Sequence, residues 1–510
     1  DKIWQATTGP ILFDNVYAGE TYYARNEIPG WSKASYDATG WQNAVILESP
    51  GGYMKSQLMP PIRKIRELKA VNIVQNDEDT WTMDFGQNLS GWAKIKVNEE
   101  KGTKIHLSYA EALYRNSQKI NKYSLGGFAT GWDQDDIYIC EGEGLETWEP
   151  RFTYHGFQYV EVSGLTEPPD KETVTAVLVH TDVQPAGNFS CTNELINKIY
   201  EAGKWTVVSN LHSIPEDCPH REKCGWLGDA HATAEFSIFN YDMVRFYTKF
   251  MNDIHSVLGR SKMDSQGNPA GAMVPTMVAP GKRLAGEARL DWGVAIIYLP
   301  WYMYLYYDDI KVFDRYYDDM KVFIDHMYTF TNDKGIIENG LGDWCPPRWD
   351  RQTNPGAMEC HPYISANAFF YKALKIMSFM AKKLNDPDYS EWSEDKSLEL
   401  KKAFNDEYLI PVGNENKWYG SQTATVMALD FGMVPEEEKE NVVNGLLYDI
   451  KTVNDFHHTV GIHGHRPYYS ILTDLGKDEL AFKVLTNPTF PSQAYIINAG
   501  LTTFPERIWE

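Results

Sequence analysis

Asn188-Phe-Ser-Cys-Thr-Asn193 is where the chain changes its period. Downstream of it, Thr192 or Asn193 offers a side-chain oxygen of the kind that caps a helix, and Ile196, Ile199 and Tyr200 follow at helical spacing. Upstream, the pattern is that of strands. Ala93-Lys-Ile-Lys-Val97 leads through Asn98-Glu-Glu-Lys-Gly102 into Thr103-Lys-Ile-His-Leu-Ser-Tyr109. In the last of these Ile105, Leu107 and Tyr109 alternate with Lys104, His106 and Ser108, so one face is expected to be buried. Short runs of this type, such as Tyr159-Val-Glu-Val162, continue to about Val179.

Beyond the switch, helical patterns dominate. Ala366, Phe369, Phe370, Ala373, Leu374, Met377, Ala381 and Leu384 form one apolar stripe. They predict a long helix over Ile364–Leu384, stopped by Asn385-Asp-Pro387. A second helix is expected from Asp229 through Met251. Polar or Gly/Pro-rich loops lie between, notably Gly267-Asn-Pro-Ala-Gly271 and Gly340-Leu-Gly-Asp-Trp-Cys-Pro-Pro347. Loops this long commonly carry function. Strands followed by helices, rather than alternating with them, argue for separate domains. The expected division is a β module over 1–70, a β-sandwich domain over 71–185, and an all-helical domain over 186–510.

With 510 residues the chain is long for one domain. Its net charge of −22 argues against nucleic acid or an anionic membrane surface as partner, because both repel it. No apolar run approaches the roughly 18 residues of a membrane span. No signal peptide opens the chain; its start at Asp1-Lys-Ile-Trp reads as processed or truncated, and the compartment (periplasmic, extracellular or cytoplasmic in a bacterium) is left open, as is a homo-oligomer. The aromatic content of 14% suits stacking on sugar C–H faces and equally suits core filling. None of the six cysteines forms a C-x-x-C pair, so a zinc ribbon or thioredoxin-like site is not expected.

The densest chemistry is Glu216-Asp-Cys-Pro-His-Arg-Glu-Lys-Cys-Gly-Trp-Leu-Gly-Asp229. Pro219, Gly225 and Gly228 make it a loop, and Asp229 falls at the start of the next helix, where a carboxylate is favoured. A glycosidase needs two carboxyl groups flanking one bond, one of them holding a proton near neutral pH. Asp217 and Asp229 favour a protonated Glu222 by like-charge repulsion. A salt-bridged loop with a helix cap gathers the same residues.

That run resembles the signature of the bacterial family 78 α-L-rhamnosidases, Asp-Cys-Pro-x-Arg-Glu leading into Gly-Trp-x-Gly-Asp. Gly19-Glu-Thr-Tyr-Tyr-Ala-Arg25, Asp84-Phe-Gly-Gln-Asn88 with Gly91-Trp92, and Pro150-Arg-Phe-Thr-Tyr-His-Gly-Phe-Gln-Tyr159 look like the family too, in order and at similar spacing. The resemblance covers nearly the whole chain. It implies N-terminal β-sandwich domains followed by an (α/α)6 barrel catalytic domain, with no cofactor and no metal. It implies Glu222 as general acid, with Asp217, Arg221, Trp226 and Asp229 around the sugar. Asp291-Trp292 and Asp343-Trp344 look like further pocket walls, and His463 belongs to the same substrate-binding set. Gly500-Leu-Thr-Thr-Phe-Pro-Glu506 matches the run that carries the family's general base, which makes Glu506 that base and the reaction inverting.

The chain departs from the family in places. Pro505 and Gln493 stand where Trp is usual, and His463 and His465 where small or apolar residues are usual. The chain stops four residues after Glu506, where the family continues with a helix and a β-domain that supplies a sugar-contacting His. The run His457-His-Thr-Val-Gly-Ile-His-Gly-His465 also admits a metal-ligand reading, although no H-E-x-x-H motif accompanies it. The reading carried forward is an exo-α-L-rhamnosidase acting on a glycoside or polysaccharide end. A hydrolase of the same fold for another sugar and a catalytically weak carbohydrate-binding relative stand beside it. A polysaccharide lyase is disfavoured, because the acidic surroundings of Glu222 repel a uronate.

Overall fold

The computed structural model describes residues 4–49, 51–123, 131–258, 274, 276–278, 288–347, 359–413 and 416–506. The loop expected at Gly267–Gly271 lies outside them. Two compact units divide the chain: Asp1–Asp182 with Cys218–Lys223, and Val183–Asp217 with Cys224–Glu510.

The first unit is built on a ten-stranded sheet. Its path runs Ile11–Asn15, Gly19–Tyr23, Asp135–Ile139, Lys104–Ala110, His155–Ser163, Thr80–Val97, Val174–Thr181 and Ile62–Lys69. Residue 70 falls between Ile62–Lys69 and Asn72–Asp77, both strands of this sheet. Thr80–Val97 pairs with four strands, the short Glu146–Trp148 and Asn72–Asp77 among them, and two of the ladders meet within it. Its first part pairs with His155–Ser163 and its last part with Val174–Thr181, and Gly91 is shared by both ladders. Gly91 has φ +151°, and a Cβ there would sit 1.8 Å from the Val177 carbonyl oxygen, so only glycine fits the hand-over.

The predicted alternation in Lys104–Ala110 is present: Ile105, Leu107 and Tyr109 are buried. Ser108 is buried as well, its hydroxyl donating to Asp135 Oδ1 at 2.6 Å. Val174–Thr181 is buried at every position, so the sheet is covered on both faces there. Ile62–Lys69 is almost wholly exposed, and its charged side chains guard an edge that would otherwise invite pairing.

The second unit is helical. Asn193, one of the two expected caps, accepts from the Leu195 and Ile196 amides and starts Glu194–Ser209. The helix expected over Ile364–Leu384 spans Pro362–Lys383, with proline in its first turn and His361 as its cap. The helix expected from Asp229 through Met251 is instead two, Leu227–Asn240 and Val244–Val257. The break is set by a distant segment of the chain. The Asn240 carbonyl, which would accept from Val244, is taken by the Ala186 amide at 2.9 Å, and Tyr241 turns extended to bridge Pro185. Val244 N–H donates to the Asp242 side chain instead.

Burial sorts the helices into two kinds. Gln422–Asp430 is buried at eight consecutive positions. Pro387–Tyr408 buries only Ser393, Ser397, Leu400 and Phe404, a single stripe. Leu227–Asn240 packs on Ala295–Tyr307, which packs on Pro362–Lys383, then Gln422–Asp430, then Ile462–Asp474, which returns to Leu227–Asn240. The well-buried helices therefore close a cycle, and Gln493–Asn498 packs on Glu194–Ser209 beside it. Each Leu or Ile inside such a helix is worth roughly 2–5 kcal/mol against Ala. Among the described residues, no helix is long and apolar enough to cross a membrane.

Candidate active site

The run Glu216–Asp229 is shared by the two units. In the helical unit its ends are tied together: Asp217 N–H donates to the Cys224 carbonyl at 3.0 Å, and Cys224 N–H donates to Asp217 Oδ1 at 2.9 Å. Residues between those ends form a closed loop. Gly225–Trp226 then pairs with Met277–Val278, and Asp229 sits in the first turn of Leu227–Asn240, as expected.

The loop residues 218–223 pack with the sheet-rich unit. Lys223 donates to the carbonyls of Val16 and Tyr154 and lies over the Tyr154 ring. His220 Nδ1 is 3.4 Å from Glu111 Oε2. Lys223 has φ +52°, so a left-handed residue bends the chain directly after Glu222. The half-buried Glu222 carboxylate meets Arg221 Nη2 at 3.0 Å, and its amide donates to Cys218 Sγ.

The remaining expected residues of the helical unit form a connected set. Trp292 lies on Gly228, where a Cβ would be 2.4 Å from the indole, so the tryptophan is fixed against the helix that carries Asp229. Asp291 is 0% exposed, and its carboxylate accepts from the amides of Leu341 and Gly342 at 2.6–3.0 Å. Asp343 is likewise 0% exposed. It accepts from Gly461 N–H at 2.7 Å, from His463 N–H at 2.8 Å and from the Thr423 hydroxyl, at the N-terminus of Ile462–Asp474. The two aspartates expected to face the sugar are thus fasteners. One holds the Gly340–Pro347 loop, and the other binds that loop to a helix N-terminus, where a carboxylate is favoured.

His463 is also internal rather than on a pocket wall. Its ring meets Trp292 and Phe369 edge-on at 4.9 and 4.8 Å, and its Nε2 is 3.7 Å from Asp291 Oδ2. The imidazoles of the His457–His465 run diverge. His457 bonds the Asn454 carbonyl and the Thr489 hydroxyl; His465 bonds the Gly461 carbonyl and lies edge-on to His458 at 4.7 Å. Burial holds His458 and His465 below the usual imidazole range. Trp344 is half-buried, and its carbonyl accepts from Ile462 N–H at 2.9 Å. Gln493 is buried and accepts from the Tyr469 hydroxyl. Glu506 is exposed, and the Cys345 thiol donates to its Oε1 at 3.6 Å. The Gly340–Pro347 loop therefore connects Asp291, Asp343 and Glu506 through its own residues.

Sequence reasoning missed three participants. Cys345 carries no signal beyond its place in the Gly340–Pro347 loop. His231 bonds the Asp291 carbonyl at 2.8 Å, and burial pushes its pKa down to about 3. Glu359 accepts from the Thr459 hydroxyl and the Gln422 amide and lies 3.2 Å from the Thr423 hydroxyl oxygen; burial, reinforced by Asp343, pushes its pKa up to about 8. Nothing around Met358-Glu-Cys360 marks it, because its chemistry comes from burial.

Residues 184–510 match the bacterial alpha-L-rhamnosidase 6 hairpin glycosidase domain, residues 74–180 the bacterial alpha-L-rhamnosidase concanavalin-like domain, and residues 1–66 the alpha-L-rhamnosidase N-terminal domain. A curated alpha-L-rhamnosidase of Formosa agariphila is 49% identical across 100% of this chain and 54% of its own length. The solved alpha-L-rhamnosidase of Dictyoglumus thermophilum superposes with a TM-score of 0.91 at 35% identity, over 100% of this chain and 56% of that one. The Streptomyces avermitilis alpha-L-rhamnosidase, solved in complex with L-rhamnose, gives 0.87 at 28% identity, over 99% of this chain and 47% of that one. The chain spans about half the length of the curated relatives it matches. Its sheet-rich N-terminal part and its helical domain, the latter matched over residues 184–510, place it plainly in one family: the chain belongs to the bacterial alpha-L-rhamnosidases.

Proposed function

We propose that this protein hydrolyses terminal α-L-rhamnosides with inversion at the anomeric carbon. Glu222 is the general acid that protonates the leaving oxygen, and Glu506 is the general base that activates the attacking water. The observation that carries this reading is the family match over residues 184–510, which contain both glutamates in their signature runs. The closed loop beginning at Asp217 supports it, because it fixes the length of chain on which Arg221 and Glu222 are carried. Asp217, Arg221, Trp226 and Asp229 hold the sugar, with Trp344 as a wall and the buried Trp292 packed behind Gly228. Asp291, Asp343 and His463 act behind them by holding the loop and the indole in place. The substrate is a rhamnose-bearing glycoside, oligosaccharide or polysaccharide end. The cycle of buried helices, with one-striped helices following them in the chain, supports an (α/α)6 barrel over 186–510. We assign residues 1–70 and 71–185 to a β module and a β-sandwich domain.

Inversion requires a water between base and sugar, so the two carboxyl groups must stand roughly 6.5–9.5 Å apart. The test is hydrolysis of p-nitrophenyl α-L-rhamnopyranoside beside a panel of other aryl glycosides, with NMR of the first-formed anomer. Release of β-L-rhamnose is expected. Release from another sugar only, or binding without turnover, overturns the substrate or the activity respectively. Glu506→Gln with added azide tests the base separately: rhamnosyl azide of inverted configuration is expected, and unchanged hydrolysis would remove Glu506 from the mechanism.

A further inference from the structure

Helix Tyr317–Tyr328, helix Pro362–Lys383 and helix Pro387–Tyr408 line a cleft in the helical unit, of roughly 410 Å³, within the size range of small-molecule sites. Its apolar side is aromatic. Tyr328 meets Phe370 edge-on at 5.2 Å and Trp392 edge-on at 5.7 Å. Phe370 is buried, whereas Trp392 is half-buried. The polar side comes from Asp325, Lys396 and Glu399. Trp392, Lys396 and Glu399 fall on one face of their helix, at i, i+4 and i+7.

Two details point to a ligand. The Tyr328 hydroxyl is buried in the cleft wall and has no hydrogen-bond partner among the described residues. A buried hydroxyl left unpaired costs roughly 1–3 kcal/mol, which a bound oxygen would relieve. The charges at the rim are mostly compensated. Lys396 and Glu399 form an ion pair at 2.6 Å, which leaves the exposed Asp325 as a carboxylate acceptor.

An aromatic wall, a phenol and a carboxylate acceptor suit a molecule with an apolar C–H face and adjacent hydroxyls. We propose that this cleft is a second, non-catalytic site for a neutral pyranose unit. The ring lies against Trp392, Asp325 accepts from a pair of vicinal hydroxyls, and the Tyr328 hydroxyl bonds a further sugar oxygen. Such a site would hold a sugar residue of a longer chain, or a free sugar, whether or not the protein cleaves rhamnosides.

The test reads the cleft directly. The protein is labelled with 5-fluorotryptophan, and the Trp392 resonance is assigned by its loss in Trp392→Phe. L-Rhamnose, methyl α-L-rhamnoside, D-glucose and tetramethylammonium are titrated separately and followed by ¹⁹F NMR. A saturable shift of the Trp392 resonance with at least one sugar is expected. In Tyr328→Phe, which removes only the oxygen, the same sugar should bind about three- to tenfold more weakly, while the ligand-free protein melts no lower than the parent because the unpaired buried hydroxyl is gone. A Trp392 resonance that stays still to the solubility limit of every sugar overturns the proposal. So does one that moves only with tetramethylammonium, since that would make the cleft a cation site. Because neither readout is turnover, failure of rhamnoside hydrolysis leaves the result of this test intact.

Discussion

Asp217 and Asp229 stand against Asp291 and Asp343 as two answers to one question. All four are aspartates in loops or first turns, and Asp229, Asp291 and Asp343 each have a glycine and a tryptophan within three residues. Asp217 and Asp229 are half-buried. Asp291 and Asp343 are sealed from solvent, and their oxygens accept from backbone amides of Leu341, Gly342, Gly461 and His463. Asp217 also accepts one amide, from Cys224, but keeps solvent in reach. A carboxylate sealed among amides holds chain, and one with solvent in reach can also take a ligand. The difference lies in burial and partners, which the residue type does not reveal.

The largest expected effect breaks activity and leaves the fold. Glu222→Gln should lower kcat/KM on an alkyl α-L-rhamnoside by roughly 10²–10⁴-fold, and far less on the p-nitrophenyl rhamnoside, whose leaving group departs without a proton. Equal losses on both substrates would mean that Glu222 positions the sugar and does not protonate it. Next is Glu359, where the effect is on stability. Its carboxyl has pKa about 8 in the fold against 4.5 as a free side chain. The neutral acid is the form the fold prefers, so its contribution is complete below pH 4.5 and falls as pH rises. The contribution is lost once pH passes about 8, a total of ~5 kcal/mol at most. Glu359→Gln keeps the neutral shape and should flatten this decline in melting temperature between pH 5 and 9. A steeper decline in the variant would overturn the protonated state.

Asp343→Asn sharpens the contrast between the two pairs. It sets an NH2 group against donors, and should cost about 2–4 kcal/mol in urea titrations. Asp217→Asn should cost well under 1 kcal/mol while raising KM on the rhamnoside. If the two variants exchange signatures, the division between fasteners and ligands is wrong.

The fold was legible where information is local. The period change at Asn188–Asn193, the Asn193 cap and the proline-bounded helix Pro362–Lys383 can all be read within a few residues. What escaped was set at long range. Lys104–Ala110 follows Thr80–Val97 in sequence, yet His155–Ser163 lies between them in the sheet. The break at Tyr241 depends on an amide at Ala186 that takes a helix carbonyl. In the site, charge density and family resemblance singled out the Glu216–Asp229 run. Asp291, Asp343 and His463, expected on a pocket wall, are buried instead, because a Trp beside an Asp reads alike on a wall and in a core. Glu359, without a motif, owes its proton to burial, which no spacing encodes.

The smallest effect concerns the other end of the mechanism. Cys345 has φ +53°, a left-handed conformation unfavourable to a residue with a Cβ, and its thiol donates to Glu506. An S–H···O contact at 3.6 Å is weak, so its value is in aiming the carboxylate more than in binding energy. Two substitutions separate strain from aim. Cys345→Gly removes both thiol and strain, and should raise stability by up to roughly 1 kcal/mol while lowering kcat about two- to fivefold. Cys345→Ala removes the thiol and keeps the strain, so it should lower kcat by the same factor with stability unchanged. Both should leave KM alone, since Glu506 as base touches the water and not the ground-state sugar. A fall in KM-dependent binding with kcat intact would place Cys345, and Glu506 with it, at the sugar. Full activity in both variants would show that Glu506 needs no thiol to hold its place.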